Sequence, residues 1–515
     1  MSTRSDGRRR GIAAAGAALA GVVAYDLVQR RHAILRNFPV VGHLRYLLES
    51  VGPEVRQYIV TSNNEERPFS RDERAWIYSS SKGRRNTFGF GTDNEMEQIE
   101  GYTIIKHAAR PLADPAAGAA GSAPDFALAG PKVLGGAHGR RHAFRPASAV
   151  NISGMSFGAL SGPAISALNR GALEAGCWHN TGEGGLSTHH LQGGELVLQI
   201  GTGYFGCRDA RGNFSLEQLR ERVAEGPVRA IEIKLSQGAK PGLGGMLPGA
   251  KVTAEIARVR GVPAGVDCLS PAAHSAFSGP DELIEFIELL ASETGLPVGI
   301  KSAVGEQTFW DELTARMAQT GCGPDFITID GGEGGTGAAP LVFTDHVSLP
   351  FKLGFARVFG TFARAGLQDD IVFIGSGKLG LPANALIAFA LGADQVSVGR
   401  EAMLSIGCIQ AQRCHTGHCP TGVATQNPWL TRGLDPADKA LRATAYVRAL
   451  RGELGRLARA CGLTHPALTH PDQLEIIGQG FRHLTLTEAF EYDPAWRELS
   501  PARRAEIEAT AGVPG

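Results

Sequence analysis

Three of the eight cysteines in this 515-residue chain, Cys408, Cys414 and Cys419, share one stretch, "GCIQAQRCHTGHCPTGVATQ" (407–426), with His415 and His418 among them. Their spacing is C-x5-C-x4-C. In a chain otherwise sparing with cysteine, thiols crowded in this way read as metal ligands in a reducing compartment. Zinc would take the three thiolates with His415 or His418 as fourth ligand. An iron–sulfur cluster would take the three thiolates alone. A third reading is two buried thiols and a bystander. The C-x2-C pairs common in structural zinc are absent, and spacing alone does not separate zinc from iron–sulfur.

A second group is cationic. Lys234 and Lys301 stand near the ends of the β-branched runs "AIEIKLS" (230–236) and "PVGIKSA" (297–303). Such lysines point into a shared mouth if these runs are neighbouring strands, and burying an unpaired ammonium is costly, so each is expected to be paired or functional. Lys240 follows in the glycine-rich excursion "QGAKPGLGG". Arg260 ends a helix expected over 252–260, and its fork suits a carboxylate. Ser376, Gly377 and Lys378, with Gly399 and Arg400, combine backbone N–H groups freed by glycine with a cation, a pattern suited to phosphate. "GTGYFG" (201–206) matches G-x-G-x-x-G but runs into the turn-like "CRDARGNFS". A dinucleotide fingerprint needs a helix there, so this is a glycine-rich loop.

These residues need elements to position them. Eight short apolar or β-branched runs end in Gly, Ser, Asp or Lys: 149–156, 177–185, 230–236, 265–270, 297–303, 325–332, 371–377 and 395–399. Helical patterns lie between several. One opens at Ser278 as a capping box, carries Leu283, Ile284, Ile287 and Leu290 on one face and closes at Gly295. Another has Pro382 in its first turn. Alternating strands and helices imply a parallel sheet, and eight units imply an α/β fold, a (β/α)8 TIM barrel with its chemistry at the C-terminal strand ends. A doubly wound open sheet is the alternative. In the barrel reading Lys234 and Lys301 end strands three and five, and the two phosphate-type loops follow strands seven and eight.

Lys+Arg and Asp+Glu balance at 51 each, which leaves no basic field for nucleic acid. The 68 glycines are about twice the usual ~7% share. At the N-terminus, Arg8–Arg10 precede an apolar run from Gly11 to Tyr25, with Asp26, Arg30 and Arg31 beyond it. A membrane anchor is the favoured reading, with a cleaved signal or an Ala-rich amphiphilic helix as alternatives. The expected organisation is an anchor at 1–28, an extension at 29–110 with a helix near 44–51, the barrel with its cysteine cluster at 111–430 (opening on a Pro/Ala/Gly-rich loop at 111–130), and a short helical tail at 431–515.

Several motifs, in order, resemble the FMN-binding synthase domain of glutamate synthase: "ISGMSFGALS" (152–161), "NTGEGG" (180–185), "IKLSQGAKPGLGGMLPGAKVTAEIARVRGVPAG" (233–265), "LSPAAH" (269–274), "IDGGEGGTGAAP" (329–340), "ALGADQVSVGREAMLSIGC" (390–408) and "RCHTGHCPTGVATQ" (413–426). The prefix "QRRHAILRNFPVVGHLRYLLE" resembles short membrane-anchored relatives of that enzyme.

The resemblance implies FMN and a 3Fe–4S cluster on Cys408, Cys414 and Cys419, with electrons passing through the cluster to the flavin and on to 2-iminoglutarate, formed from 2-oxoglutarate and ammonia. It implies that Glu183, Lys234, Lys240 and Arg260 line the substrate site, with Glu183 handling protons. It implies a flavin cradle of Met155, Ser156, Lys301, Asp330, Gly331, Ser376, Gly377 and Gly399. An electron-donor protein or NAD(P)H-oxidising subunit is implied as partner, and a catalytic domain held at the cytoplasmic membrane face. The chain departs from the pattern at "LSTHH" after "GEGG" and at "SPAAH", and it carries no amidotransferase domain with an N-terminal cysteine nucleophile, so free ammonia or a separate subunit is the expected nitrogen source. The other readings are an FMN barrel acting on a different 2-oxo acid or amino acid, and a membrane-associated electron carrier.

Overall fold

In the structure, a computed structural model, residues 3–58, 65–84, 86–87, 89–97, 99–113 and 128–511 are described. Eight parallel strands close a barrel in sequential order: β1 (Val150–Ile152), β2 (His179–Asn180), β3 (Leu196–Ile200), β4 (Val228–Lys234), β5 (Val298–Ser302), β6 (Phe326–Asp330), β7 (Val372–Ser376) and β8 (Gln395–Val398). β8 pairs back onto β1 through Val396 to Val398. Strands such as "FITID" and "VFIGS" are buried at every position, as expected of a parallel sheet covered on both faces.

Seven of the eight expected strands are barrel strands, and one is not. The run at 265–270 contributes only Cys268–Leu269, which pairs antiparallel with Met246–Leu247 in a small sheet outside the barrel. The strand missing from the expectation is β3, "LVLQI". Burial separates the two. Every residue of β3 is buried, whereas Val266 is 55% and Leu269 65% exposed. Lys234 therefore ends the fourth strand, not the third, and stands beside Lys301 on the fifth.

The helix of Pro280–Thr294 buries Leu283, Ile284, Ile287 and Leu290 and closes at Gly295. It has no capping box. Gly279 is its N-cap, and the Ser278 N–H and hydroxyl both donate to Glu282 instead, at 2.7 and 2.8 Å. Pro382 opens Pro382–Leu391 as expected. The C-terminal part is more than a tail. Helix Pro436–Ala460 buries Ala443, Tyr446, Leu450 and Leu454 against helix Gly162–Ala175 and the barrel. Strands Leu474–Ile477 and His483–Thr485 form a three-stranded antiparallel sheet with Thr103–Ile105 of the extension.

The membrane anchor is overturned. Helix Thr3–Val28 is there, but among the described residues no helix is long and apolar enough to cross a membrane. Alanine and glycine supply little hydropathy. Asp26 at the end of the run is fully buried, accepting from the Val40 N–H at 2.9 Å and lying 2.8 Å from the His43 ring. The readings that depended on the anchor, a catalytic domain at the cytoplasmic membrane face and a membrane partner, fall with it. The helix expected near 44–51 is Val41–Tyr58. The loop expected at 111–130 lies mostly outside the described residues.

Candidate functional site

β4 and β5 are adjacent, and Lys234 and Lys301 are register partners at their C-terminal ends. Each ammonium is buried and meets a different carboxylate. Lys234 Nζ lies 3.0 Å from Glu183 Oε1, which comes from the loop after β2, and donates to Gln237 Oε1 at 2.7 Å. Lys301 Nζ lies 3.4 Å from Asp330 Oδ2 at the end of β6. Burial alone raises the pKa of the Glu183 carboxyl, but Lys234, then Arg260 and Lys240, outweigh it and hold the group below the usual carboxylate range. Lys240, also buried, keeps its proton less tightly than an ordinary lysine, chiefly through burial and further through Lys234. Glu183, Lys234, Lys240 and Arg260 are thus brought into one electrostatic group.

Arg260 is 5% exposed at the end of helix Ala254–Arg260. Its Nη2 donates to the Phe157 carbonyl at 3.1 Å and its guanidinium lies over the Phe205 ring. Its Nε is buried with no hydrogen-bond partner. A buried N–H on a cation that meets no acceptor costs free energy.

The second centre is built on Asp330. Its Oδ1 accepts from the Ser376 hydroxyl at 2.7 Å and its Oδ2 from the Gly238 N–H at 3.0 Å. Burial opposes ionisation, but Lys301 and these donors reverse that and lower its pKa. The pKa of Lys301 is raised, because Asp330 and Glu232 together exceed the cost of burial. The Gly331 N–H donates to Ser376 O at 2.9 Å. Gly377 has φ 120°, and a Cβ there would come within 3.1 Å of Gly331 N; only glycine combines that backbone with that approach. At Gly399 a Cβ would meet nothing nearer than Ser153 at 3.9 Å, so the backbone borders open space. The Met155 N–H donates to Asn180 O at 3.1 Å, and Ser156 follows it in the loop after β1.

Several supporting residues were not singled out from the sequence. Glu232 lies inside the barrel and accepts from Asn180 (2.7 Å), Gln199 (2.6 Å) and Thr328 (2.7 Å). Its place on β4, two residues before Lys234, is the signal that pointed inward. His190 Nε2 donates to Met155 O at 2.9 Å while its Nδ1 accepts from Ser187, which explains one residue of the unfamiliar "LSTHH". His274 of "SPAAH" donates to Lys234 O at 3.0 Å and lies 3.2 Å from the Tyr204 hydroxyl. "GTGYFG" follows β3 as a loop; the next helix begins only at Leu216.

The cysteine loop follows β8 and the short helix Arg400–Ser405. Burial first, and then Cys419 and Cys414, push Cys408 up to about 12, and burial followed by Cys419 raises Cys414. The Gln410 N–H reaches Cys408 Sγ at 3.5 Å, and Thr421 Oγ1 lies 3.5 Å from Cys419 Sγ. Lys251 Nζ donates to Cys414 O at 2.6 Å and Ala424 O at 3.2 Å, which puts a buried cation beside the loop. His415 and His418 are exposed. Among the described residues no three His, Cys, Asp or Glu side chains are arranged to hold a single metal ion. The extension braces the loop: Tyr78 donates to Cys408 O at 2.9 Å, and the Gln410 side chain exchanges two hydrogen bonds with the Phe69 backbone.

Fold and site together define a (β/α)8 barrel with two buried lysine–carboxylate centres at its C-terminal mouth and a cysteine loop beyond the eighth strand. Residues 134–464 match the conserved region in glutamate synthase. The chain is 38% identical over 477 residues to the glutamate synthase large subunit-like protein YerD of Bacillus subtilis (strain 168), covering 86% of this chain and 89% of that protein. It is 38% identical over 317 residues to the archaeal glutamate synthase (NADPH) of Methanocaldococcus jannaschii, covering 61% of this chain and 59% of that protein's length. A flavocytochrome b2 mutant with pyruvate bound aligns in structure with a TM-score of 0.43 and 14% identity, over 83% of this chain and 91% of that one. The chain belongs to the glutamate synthase family.

Proposed function

We propose that this chain is an oxidoreductase of the glutamate synthase type that reduces 2-iminoglutarate, formed from 2-oxoglutarate and ammonia, to glutamate. The observation that carries this reading is the charge count at the mouth. Lys234, Lys240 and Arg260 all bear on Glu183, three cations against one carboxylate. The surplus of two positive charges is complementary to a dicarboxylate. Arg260 offers its unpartnered Nε to one carboxylate of the substrate. A lysine beside the 2-oxo group stabilises negative charge as the carbonyl or imine is attacked. Lys240, whose proton is held less tightly, is suited to donate it, and Glu183, held ionised and therefore a weak base, fixes the Lys234 ammonium in the mouth.

Met155, Ser156, Lys301, Asp330, Gly331, Ser376, Gly377 and Gly399 are the residues that would hold FMN. They fit it chemically: a buried cation to balance negative charge, a carboxylate fixed by Ser376 and Gly238, and open backbone at Gly399. FMN, when bound, supplies hydride transfer. Cys408, Cys414 and Cys419 would hold a 3Fe–4S cluster as the electron relay; three thiolates met by a backbone N–H, a hydroxyl and the nearby Lys251 suit a polynuclear cluster rather than one ion. The balance is 2-oxoglutarate, ammonia, two electrons and two protons giving glutamate and water. The electrons come from a donor protein or an NAD(P)H-oxidising subunit.

The test is to reduce the FMN- and iron-replete protein anaerobically and mix it with 2-oxoglutarate and ammonium, or with 2-oxoglutarate and glutamine. Flavin reoxidation with labelled glutamate is expected with ammonium. Reoxidation by neither mixture, with flavin retained, sinks the reading.

A further inference from the structure

Away from the barrel mouth, a cavity of about 470 Å³ lies between the end of helix Arg71–Ser81, the segment at Arg31 and His32, and the first turns of helix Pro436–Ala460. Its wall carries Arg31, Lys82, Arg84 and Arg442 together with the His32 ring, and Asp438 is the one carboxylate in the lining. That carboxylate is already committed, at 2.9 Å from Lys439 Nζ and 3.2 Å from Arg442 Nε. Among the described residues Arg31, Lys82 and Arg84 make no close ion pair with a carboxylate, although Glu49 acts on Lys82 from farther away. Four cations against one carboxylate leave a surplus of three positive charges.

The crowding acts on three groups from three segments. Burial, then Arg442, Lys439 and Lys82, lower His32 to about 4. Burial, then Arg442 and Arg84, lower Lys82. Burial, then Arg442, lower Lys439 to about 8. A bound anion would relieve this repulsion. The cavity size falls within the ~300–1,000 Å³ of ordinary small-molecule sites, more than a lone phosphate needs. A second cavity of about 130 Å³ shares Arg31, His32, Lys82 and Arg442 and reaches Cys408 and Ile409, with Tyr78 in its wall.

We propose that the larger cavity is a binding site for a diphosphate-bearing small molecule, whose phosphates are gripped by Arg31, Lys82, Arg84 and Arg442. The surplus matches the charge of a diphosphate group near neutral pH, and guanidinium forks suit phosphate oxygens. The remaining volume accommodates a nucleoside. The site is independent of the barrel-mouth reading and needs no turnover to detect.

Titration calorimetry on the full-length protein at low salt, with inorganic pyrophosphate, ADP and succinate as probes, tests it. Saturable one-site binding of pyrophosphate or ADP is expected, weakening as NaCl is raised. The double variant Lys82→Glu/Arg84→Glu should bind at least ~10-fold more weakly, without a fall in melting temperature, because charge reversal relieves the crowding of like charges. ADP tighter than pyrophosphate assigns the spare volume to a nucleoside; equal affinity assigns the site to phosphates alone. Absence of saturable binding of both phosphate probes, unaltered affinity in the double variant, or succinate binding as tightly as pyrophosphate overturns the proposal.

Discussion

Lys234 and Lys301 stand opposite each other on adjacent strands, yet each ammonium turns to its own carboxylate, Glu183 and Asp330. Two like charges side by side in a buried mouth repel, and the carboxylates convert that repulsion into two separate centres. One centre lies with Lys240 and Arg260 and carries excess positive charge. The other is more nearly neutral, with Ser376 and Gly238 completing the coordination of Asp330. This division underlies the assignment of one centre to a dicarboxylate and the other to the flavin.

Lys301→Ala leaves Asp330 buried without its cation. Loss of one partner of a buried pair costs ~3–5 kcal/mol, moderated here by the two remaining hydrogen bonds. The variant should melt at lower temperature and retain less FMN, measured as flavin released per chain on denaturation. Full FMN retention with an unchanged reduction potential would remove Lys301 from the cradle.

Arg260→Ala should raise the KM for 2-oxoglutarate by roughly 30–150-fold, since an Arg–carboxylate contact is worth about 2–3 kcal/mol. The effect on kcat should be small, because the contact is made equally in ground and transition states. Steady-state kinetics over a wide 2-oxoglutarate range provides the check. A fall in kcat with unchanged KM would place Arg260 in the chemistry instead of in binding.

For the cysteine loop, serine at Cys408, Cys414 or Cys419 should abolish bound iron. Serine at Cys177 or Cys461, buried elsewhere, should leave it intact. Iron and inorganic sulfide analysis of anaerobically prepared protein is expected to give about three irons per chain. Stoichiometric zinc without iron, in protein made with ample iron, would overturn the cluster.

What could be read in the sequence follows how local each feature is. Lys301, Ser376 and Gly399 sit at the ends of short apolar runs, so strand periodicity and glycine placement were enough to single them out, whereas Asp330 was singled out only by the family resemblance. β3 and the run at 265–270 look alike as strings, and only burial, a property of the whole fold, separates them. The Glu232 network was not legible because its donors come from β2, β3 and β6. The N-terminal run was misread because fifteen residues from Gly11 to Tyr25 count as apolar in composition while alanine and glycine give little transfer free energy, and because the fold, not the sequence, shows Asp26 held by Val40 and His43.

Acid should destabilise the fold in two windows. His190, His274 and His465 are buried and neutral, each with its pKa lowered to about 4, burial being the main cause. In the unfolded chain they titrate near ~6.5. Between about pH 6.5 and 4 the unfolded state therefore binds protons that the folded state refuses, and stability falls as pH falls. A lowering of this size is worth about 3 kcal/mol per histidine at most. The carboxylates Glu183 and Asp330 have lowered pKa values, so their stabilisation is full above the unfolded carboxylate range, near pH ~4, and is lost as pH falls below it. Denaturant unfolding at closely spaced pH values should thus show a first loss between pH 6.5 and 4 and a second below 4. His465 lies far from the mouth in sequence and accepts from the Ala467 N–H while facing the Ala129 carbonyl. His465→Gln should flatten the first window by up to one proton without moving the second. A stability profile flat from pH 7 to pH 4 would show that these histidines are protonated in the fold, contrary to their burial.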